Sequence, residues 1–230
     1  MSQLPSPLGE PIRFEPAKPQ SLADVVLSDL QRAIVNGKLR PGEHLIETDL
    51  ANQFHVSRAV MRQAFQELSF AGLVEIRPRR GAVVTRMSSA VARDVCTVRG
   101  LLEGWAGRTA CMKLIAAEKR RMRDICDEMA ECLKQGDIYA VANLDIEFHG
   151  MICRADPNQR LFTSWSSLNT LHGALISSRV GIHHYEPAVF AGLHTSLCEV
   201  LEGGDPDEAE HAIRYHYLGT DWKDHADREG

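Results

Sequence analysis

Only one short stretch of this chain alternates with a period of two: Leu73-Val-Glu-Ile-Arg77 and Ala82-Val-Val-Thr-Arg86, separated by Pro78-Arg79-Arg80-Gly81. Two such runs around a Pro/Gly turn predict a β-hairpin with a basic tip. From Ser21 up to that hairpin, and from Met87 almost to the end, apolar residues follow helical spacing instead. The expected fold class is therefore mainly α, with a winged helix-turn-helix and its small β-hairpin wing in front and an all-α helical bundle behind.

The front segment supports this. Leu22, Val25, Val26, Leu30, Ala33 and Ile34 recur at helical spacing behind Ser21, and Gly37 ends the run. After the turn Arg40-Pro41-Gly42 come a short helix over 49–54, a tight turn at His55-Val56-Ser57, and a helix over 58–71 that Ser57 can cap and Gly72 can stop. Helix, short helix, turn, helix and hairpin is the order in which the helix after the turn enters the DNA major groove. Arg58 and Arg62 share one face of that helix, and Ser57 sits at its positive end. An arginine fork there reaches a guanine edge or clamps a phosphate. Arg79 and Arg80 at the hairpin tip reach the neighbouring backbone or minor groove, with Gly81 allowing close approach.

Charge divides the chain in the same place. The net formal charge is −5, but residues 21–87 hold 9 Lys/Arg against 7 Asp/Glu, whereas 88–230 hold 15 against 22. Only the front segment is electrostatically suited to phosphate. Residues 1–20, with Pro5, Pro7, Pro11, Pro16 and Pro19, are expected to be a flexible arm, 21–87 the DNA-binding domain and 88–230 a helical domain. Helices are expected there near 89–115, 118–135, 138–155, 158–180, 187–202 and 206–224. No apolar run approaches the roughly 18 residues that span a bilayer, and the start carries no secretory pattern, so a cytoplasmic protein without a membrane partner is expected. Six cysteines without a Cys-x-x-Cys pair are read as buried, reduced thiols.

The ordered pattern resembles a known family. Gly37-Lys-Leu-Arg-Pro-Gly42, Leu45-Ile-Glu-Thr-Asp-Leu-Ala51, Val56-Ser-Arg-Ala-Val-Met-Arg-Gln-Ala-Phe65, Gly72-Leu-Val74 and Arg80-Gly-Ala-Val-Val84 look like the DNA-binding domain of GntR-family repressors. By that resemblance Arg58 and Arg62 match the recognition-helix arginines and Gly81 the wing glycine. Val60, Gln63 and Phe65 depart from the residues usual in the family (Pro, Glu and Leu), which bears on the operator rather than on the fold.

In the helical part, Asp145-Ile-Glu-Phe-His149 puts a carboxylate and an imidazole on one helix face. Gly203-Gly204 ends one helix, and Asp205-Pro206-Asp207-Glu208 starts the next with a capping acid and proline in the first turn. His194 and His216 lie roughly 14 and 16 Å from that bend at about 1.5 Å per residue, so their rings can meet across the hairpin. One carboxylate and three imidazoles suit a divalent ion such as zinc, nickel or manganese.

This half resembles the FCD effector domain attached to GntR-type readers, closer to the VanR-like than to the longer FadR-like branch. The resemblance makes Asp145, His149, His194 and His216 the metal ligands, with zinc in first place, and implies a small organic-acid effector beside the metal. It points to Arg99, in Arg99-Gly-Leu-Leu-Glu103, as the cation for that acid, with Asn158 and Arg179 as further candidates; a surface Arg99–Glu103 pair is the competing reading. His172 receives no role. The whole predicts a homodimeric repressor on a pseudo-palindromic, double-stranded operator, released by its effector. The alternative is a metal-dependent hydrolase fused to a nucleic-acid-binding module. Against it, four protein ligands leave a zinc-like ion little room for activated water, and no acid or base stands out beside the set.

Overall fold

A computed structural model describes residues 22–77, 80–86, 88–183 and 187–219, with the side chains of 177–188 left aside. The expected arm over 1–20, Arg79 and the side chain of Arg179 lie outside the described residues.

The front unit is built from α1 (Leu22–Val35), β1 (His44–Leu45), α2 (Glu47–Gln53), α3 (Arg58–Phe70), β2 (Val74–Arg77) and β3 (Gly81–Val84). Ser57 caps α3 by accepting from the Val60 amide at 3.3 Å. Val26, Leu30, Met61, Phe65, Leu68 and Leu73 form one buried core. Each contributes about 1.5–3 kcal/mol by leaving water. The wing has three strands rather than two, in the antiparallel order β1-β3-β2. The two-residue β1 is too short to show alternation in sequence. Its pairing also changes the reason for Gly81: a Cβ there would lie 2.1 Å from the Leu45 carbonyl oxygen, at a φ of +82°. The strand beside it is by itself enough to require glycine at this position.

The helical unit runs α4 (Ser89–Lys113), α5 (Ala116–Gln135), α6 (Ile138–Ala155), α7 (Gln159–Ser166), α8 (Asn169–His183), α9 (Pro187–Gly203) and α10 (Pro206–Leu218). The single helix expected over 158–180 is two helices, α7 and α8, which meet at Ser167 and Leu168. No Gly or Pro marks that break. The capping acid expected at Asp205 does cap α10, and Gly136, not singled out in the sequence, closes α5 in the left-handed conformation. α4 and α10 approach closely because α4 carries glycine on the shared face: a Cβ on Gly107 would meet Ile213 Cδ1 at 2.3 Å. The six cysteines are unpaired, and all but Cys132 are buried.

The units touch through α1. Val35 shares a small core with Val141 and Ala142 of α6 and Ile176 of α8, and the Tyr139 amide donates to Asn36 Oδ1 at 2.8 Å. α8 also reaches the front core: Ala174 packs against it, and Leu171 fills the space beside Gly72.

Candidate functional site

The first candidate surface is the outward face of α3. Arg58 and Arg62 both point to solvent, and both are held by Glu47 of α2. Arg58 Nε donates to Glu47 Oε1 at 2.9 Å, while Arg62 donates from Nη2 to Oε1 at 3.0 Å and from Nε to Oε2 at 3.2 Å. The Arg62 hydrogen bond, opposed by burial and helped by Arg58, holds the Glu47 carboxyl below its ordinary range. One carboxylate thus aligns two guanidinium forks on one face. Glu47 was missed in the sequence because it lies eleven and fifteen residues before its partners, with no periodicity linking them. Ser57 lies exposed beside the pair, and Arg80 is exposed at the wing tip, its amide bonded to the Arg77 carbonyl.

The second candidate site is inside the helical unit. α6, α9 and α10 bring His149, His194 and His216 together so that one ring nitrogen from each lies within 4.8 Å of the others. The His194 and His216 ring centroids are 4.8 Å apart across the α9–α10 hairpin. Asp145 stands against two of the three: its Oδ1 is 3.0 Å from His194 Nε2 and 3.8 Å from His149 Nε2. Its Oδ2 accepts from His172 Nε2 of α8 at 2.8 Å. His172 is therefore a fifth member of the cluster. Its sequence signal is a polar residue on the apolar face made by Leu175 and Ile176, three and four residues on.

The electrostatics favour ligation. Burial opposes the charge of Asp145, but His149 and His172 outweigh it and hold its carboxyl well below the usual range. Burial, reinforced by His194 and His149, pushes His216 well down, so its imidazole stays neutral. His194 is raised because Asp145 more than offsets its burial, and its Nδ1 is fixed by the Phe190 carbonyl at 2.9 Å. That bond turns Nε2 toward the cluster, as ligating histidines require. On His149, Nε2 is buried without a hydrogen-bond partner, while Nδ1 lies 2.6 Å from Glu103 Oε2 without being aligned as a hydrogen bond. A buried, unpartnered imidazole nitrogen beside two more imidazoles and a carboxylate fits a divalent ion of the zinc class. When bound, such an ion supplies a Lewis-acid point that oxygen ligands can share.

Arg99 and Glu103 do pair, at 3.1 Å, but in the core rather than on the surface, since both side chains are 0% exposed. Arg99 also donates to Tyr217 Oη at 3.1 Å and Asn169 Oδ1 at 2.8 Å, and lies over the Trp165 ring. Burial pushes Glu103 up, but His149 and Arg99 outweigh it and hold it down at about 2. A cavity of about 90 Å³ opens against the cluster, touched by Asp145, His172, His194, His216 and Tyr217. Leu175, Ile176, Phe190 and Leu193 form its apolar wall. Among the described residues, neither Arg99 nor Asn158 lines it. Arg99 sits behind Tyr217, and Asn158 is exposed as the cap of α7, accepting from the Arg160 and Leu161 amides.

Residues 22–84 match the model of bacterial regulatory proteins of the gntR family, and residues 94–219 match the FCD domain. The chain is 29% identical over 196 residues, covering 85% of each chain, to a Paenarthrobacter nicotinovorans protein named as a probable D-xylose utilization operon transcriptional repressor. It is 25% identical over 189 residues to the HTH-type transcriptional repressor RspR of Escherichia coli strain K12, covering 81% of this chain and 82% of that one. A GntR-type regulator structure from Rhodococcus sp. RHA1 superposes with a TM-score of 0.72 at 20% identity, over 89% of this chain and 98% of that one. The E. coli McbR/YncC structure gives 0.68 at 19% identity, over 89% and 99%.

Proposed function

The chain belongs to the gntR family of bacterial regulatory proteins and carries an FCD domain, and from that membership we propose a homodimeric, metal-containing repressor whose hold on operator DNA is set by a small carboxylate. Its relatives are named as transcriptional repressors and regulators; the protein is a transcription regulator rather than an enzyme, and the hydrolase alternative is not favoured. Among the described residues no helix is long and apolar enough to cross a membrane.

The observation that carries the sensing half is the meeting of buried His149 and His194, half-buried His216 and Asp145 beside a cavity. Asp145, His149, His194 and His216 would hold the ion, and an acid in the cavity would share it. Arg99 acts in this reading from behind, by keeping Glu103 charged beside His149 and by ordering Tyr217 at the cavity wall. α8 supplies the route to DNA. It carries His172 against Asp145, and on the same helix Leu171, Ala174 and Ile176 press on the reader. A shift of α8 on effector binding therefore moves α1 and the α3–β2 turn.

Dimerisation is supported by α4, which leaves Val91, Val98, Trp105 and Met112 exposed at steps of seven, with Leu101 between them. A heptad stripe of this size is the seam that a second copy of the same helix covers. The paired readers then match two half-sites.

The test uses zinc-loaded, full-length protein and a duplex selected from random DNA by repeated binding. Small mono- and dicarboxylates are titrated while operator binding is followed by fluorescence anisotropy. A shift of about 5- to 150-fold in operator affinity is expected from one acid of the panel. The His194→Ala/His216→Ala variant should contain no zinc by elemental analysis and should lose that shift while still binding DNA. Stoichiometric zinc in the double variant would overturn the ligand set, and an operator affinity indifferent to every acid would overturn the regulatory reading.

A further inference from the structure

The outward face of α3 carries more than its two arginines. Met61, Ala64, Phe65 and Leu68 are buried and fix which side of the helix looks inward. At about 100° per residue the opposite ridge is made by Ala59, Gln63 and Gln66, each within about 30° of the outward pole, whereas Arg62 lies about 70° and Arg58 about 110° away from it. All five side chains are exposed. The arginines thus flank the ridge on the side of α2, where Glu47 holds them. The Gln63 amide, by contrast, has no hydrogen-bond partner among the described residues.

A DNA duplex offers that ridge a definite surface. The N-terminal residues of a recognition helix face the base edges on the floor of the major groove, which is about 8.5 Å deep. Gln63 lies about 7.5 Å along the axis from Arg58, within the first two turns, while Gln66 lies about 12 Å along and beyond them. One turn before Gln63 on the same ridge, Ala59 carries only a methyl group. α3 can therefore come close to the floor and leave the two-methylene stem of Gln63 to span the remaining gap. We infer that Gln63 is a specificity-determining residue of the reader, its amide pairing with an adenine in bidentate fashion: Nε2 donates to N7, and Oε1 accepts from the N6 amino group. Adenine alone matches that fork, because guanine presents two acceptors, cytosine an amino group alone, and thymine a carbonyl beside a methyl group. The inference rests on α3 being the helix in the groove and uses neither the metal nor the effector.

Full-length protein is titrated by fluorescence anisotropy, at several salt concentrations, with the duplex selected from random DNA and with every single base-pair change in one half-site of it. The native protein should favour A·T at one position of the half-site by about 5- to 150-fold, the discrimination of one bidentate pair. Gln63→Ala should flatten that position to within about twofold. The ranking at the other positions and the salt slope should stay as they were, since the amide carries no charge. Gln63→Glu should turn the preference at the same position to cytosine, because a carboxylate accepts from the N4 amino group and cannot donate to adenine N7. Gln66→Ala should change no position by more than about twofold. An unchanged base ranking in Gln63→Ala overturns the inference, as does a uniform loss of affinity over all sequences, the signature of a phosphate contact. It is equally overturned if the flattened position is one where the native protein preferred a pair other than A·T, or if Gln66→Ala flattens the adenine position. Should Gln63→Glu bind too weakly to rank, Gln63→Ala decides. Arg62→Ala separates the two levels: binding as tight as that of the native protein takes α3 out of the groove and removes the reader assignment with the inference, whereas weakened binding beside an indifferent Gln63 removes the inference alone.

Discussion

The reader and the helical domain both set arginine against glutamate, in opposite surroundings. On the reader, Arg58 and Arg62 meet Glu47 with side chains 64% and 58% exposed, whereas Arg99 and Glu103 meet at 0%. An exposed pair contributes at most about 1 kcal/mol, so water, Glu47 and a DNA phosphate are nearly interchangeable partners for those forks. A buried pair cannot be exchanged in this way. Removing one member leaves the other charged and unsolvated, at a cost of about 3–5 kcal/mol. The same chemistry is thus a reversible contact at one end of the molecule and a fixed scaffold at the other.

The largest effect that could break this comparison is on stability. Arg99→Ala should lower the urea unfolding free energy of the full chain by about 3–5 kcal/mol, because Glu103 and Tyr217 lose a buried partner together. A loss below about 1 kcal/mol would mean that the pair is not the scaffold described here.

Arg62→Ala should do the reverse. Operator binding should weaken by roughly 10- to 100-fold in anisotropy titrations while unfolding shifts by no more than about 0.5 kcal/mol. If this variant unfolds as readily as Arg99→Ala, the contrast between the two ends disappears. Arg80→Ala at the wing tip sharpens the picture of the reader. The slope of log affinity against log salt should fall in magnitude by about 0.9, with the ranking of operator sequences unchanged. A changed ranking would place Arg80 on a base edge.

The smallest expected effect is that of Glu47→Gln, which keeps the shape but removes the charge that aligns both forks. Unfolding should move by less than about 1 kcal/mol, and the salt dependence of DNA binding should steepen as two guanidinium groups are freed. An unchanged salt slope would show that the forks are placed by α3 alone.

Much of the molecule was legible from local order in the chain. Caps and stops such as Ser57, Gly72 and Asp205-Pro206 act on the turn that contains them, so the elements they bound could be read without knowing their neighbours. The Asp145/His149 face and the meeting of His194 with His216 follow from helical rise and one antiparallel bend. Contacts that join distant segments at a site where no periodicity links them were decided by packing. β1 exists because β3 lies beside it, and the break between α7 and α8, which no Gly or Pro announces, leaves Asn169 at the start of α8, where Arg99 reaches it. Glu47 beneath two arginines, the burial of Arg99 behind Tyr217, and His172 against Asp145 at a separation of 27 residues all belong to this class. A side chain's neighbours within one turn are set by backbone geometry that the sequence encodes locally. Its neighbours across a core depend on how whole faces fit together, and that is settled only once the chain has closed on itself.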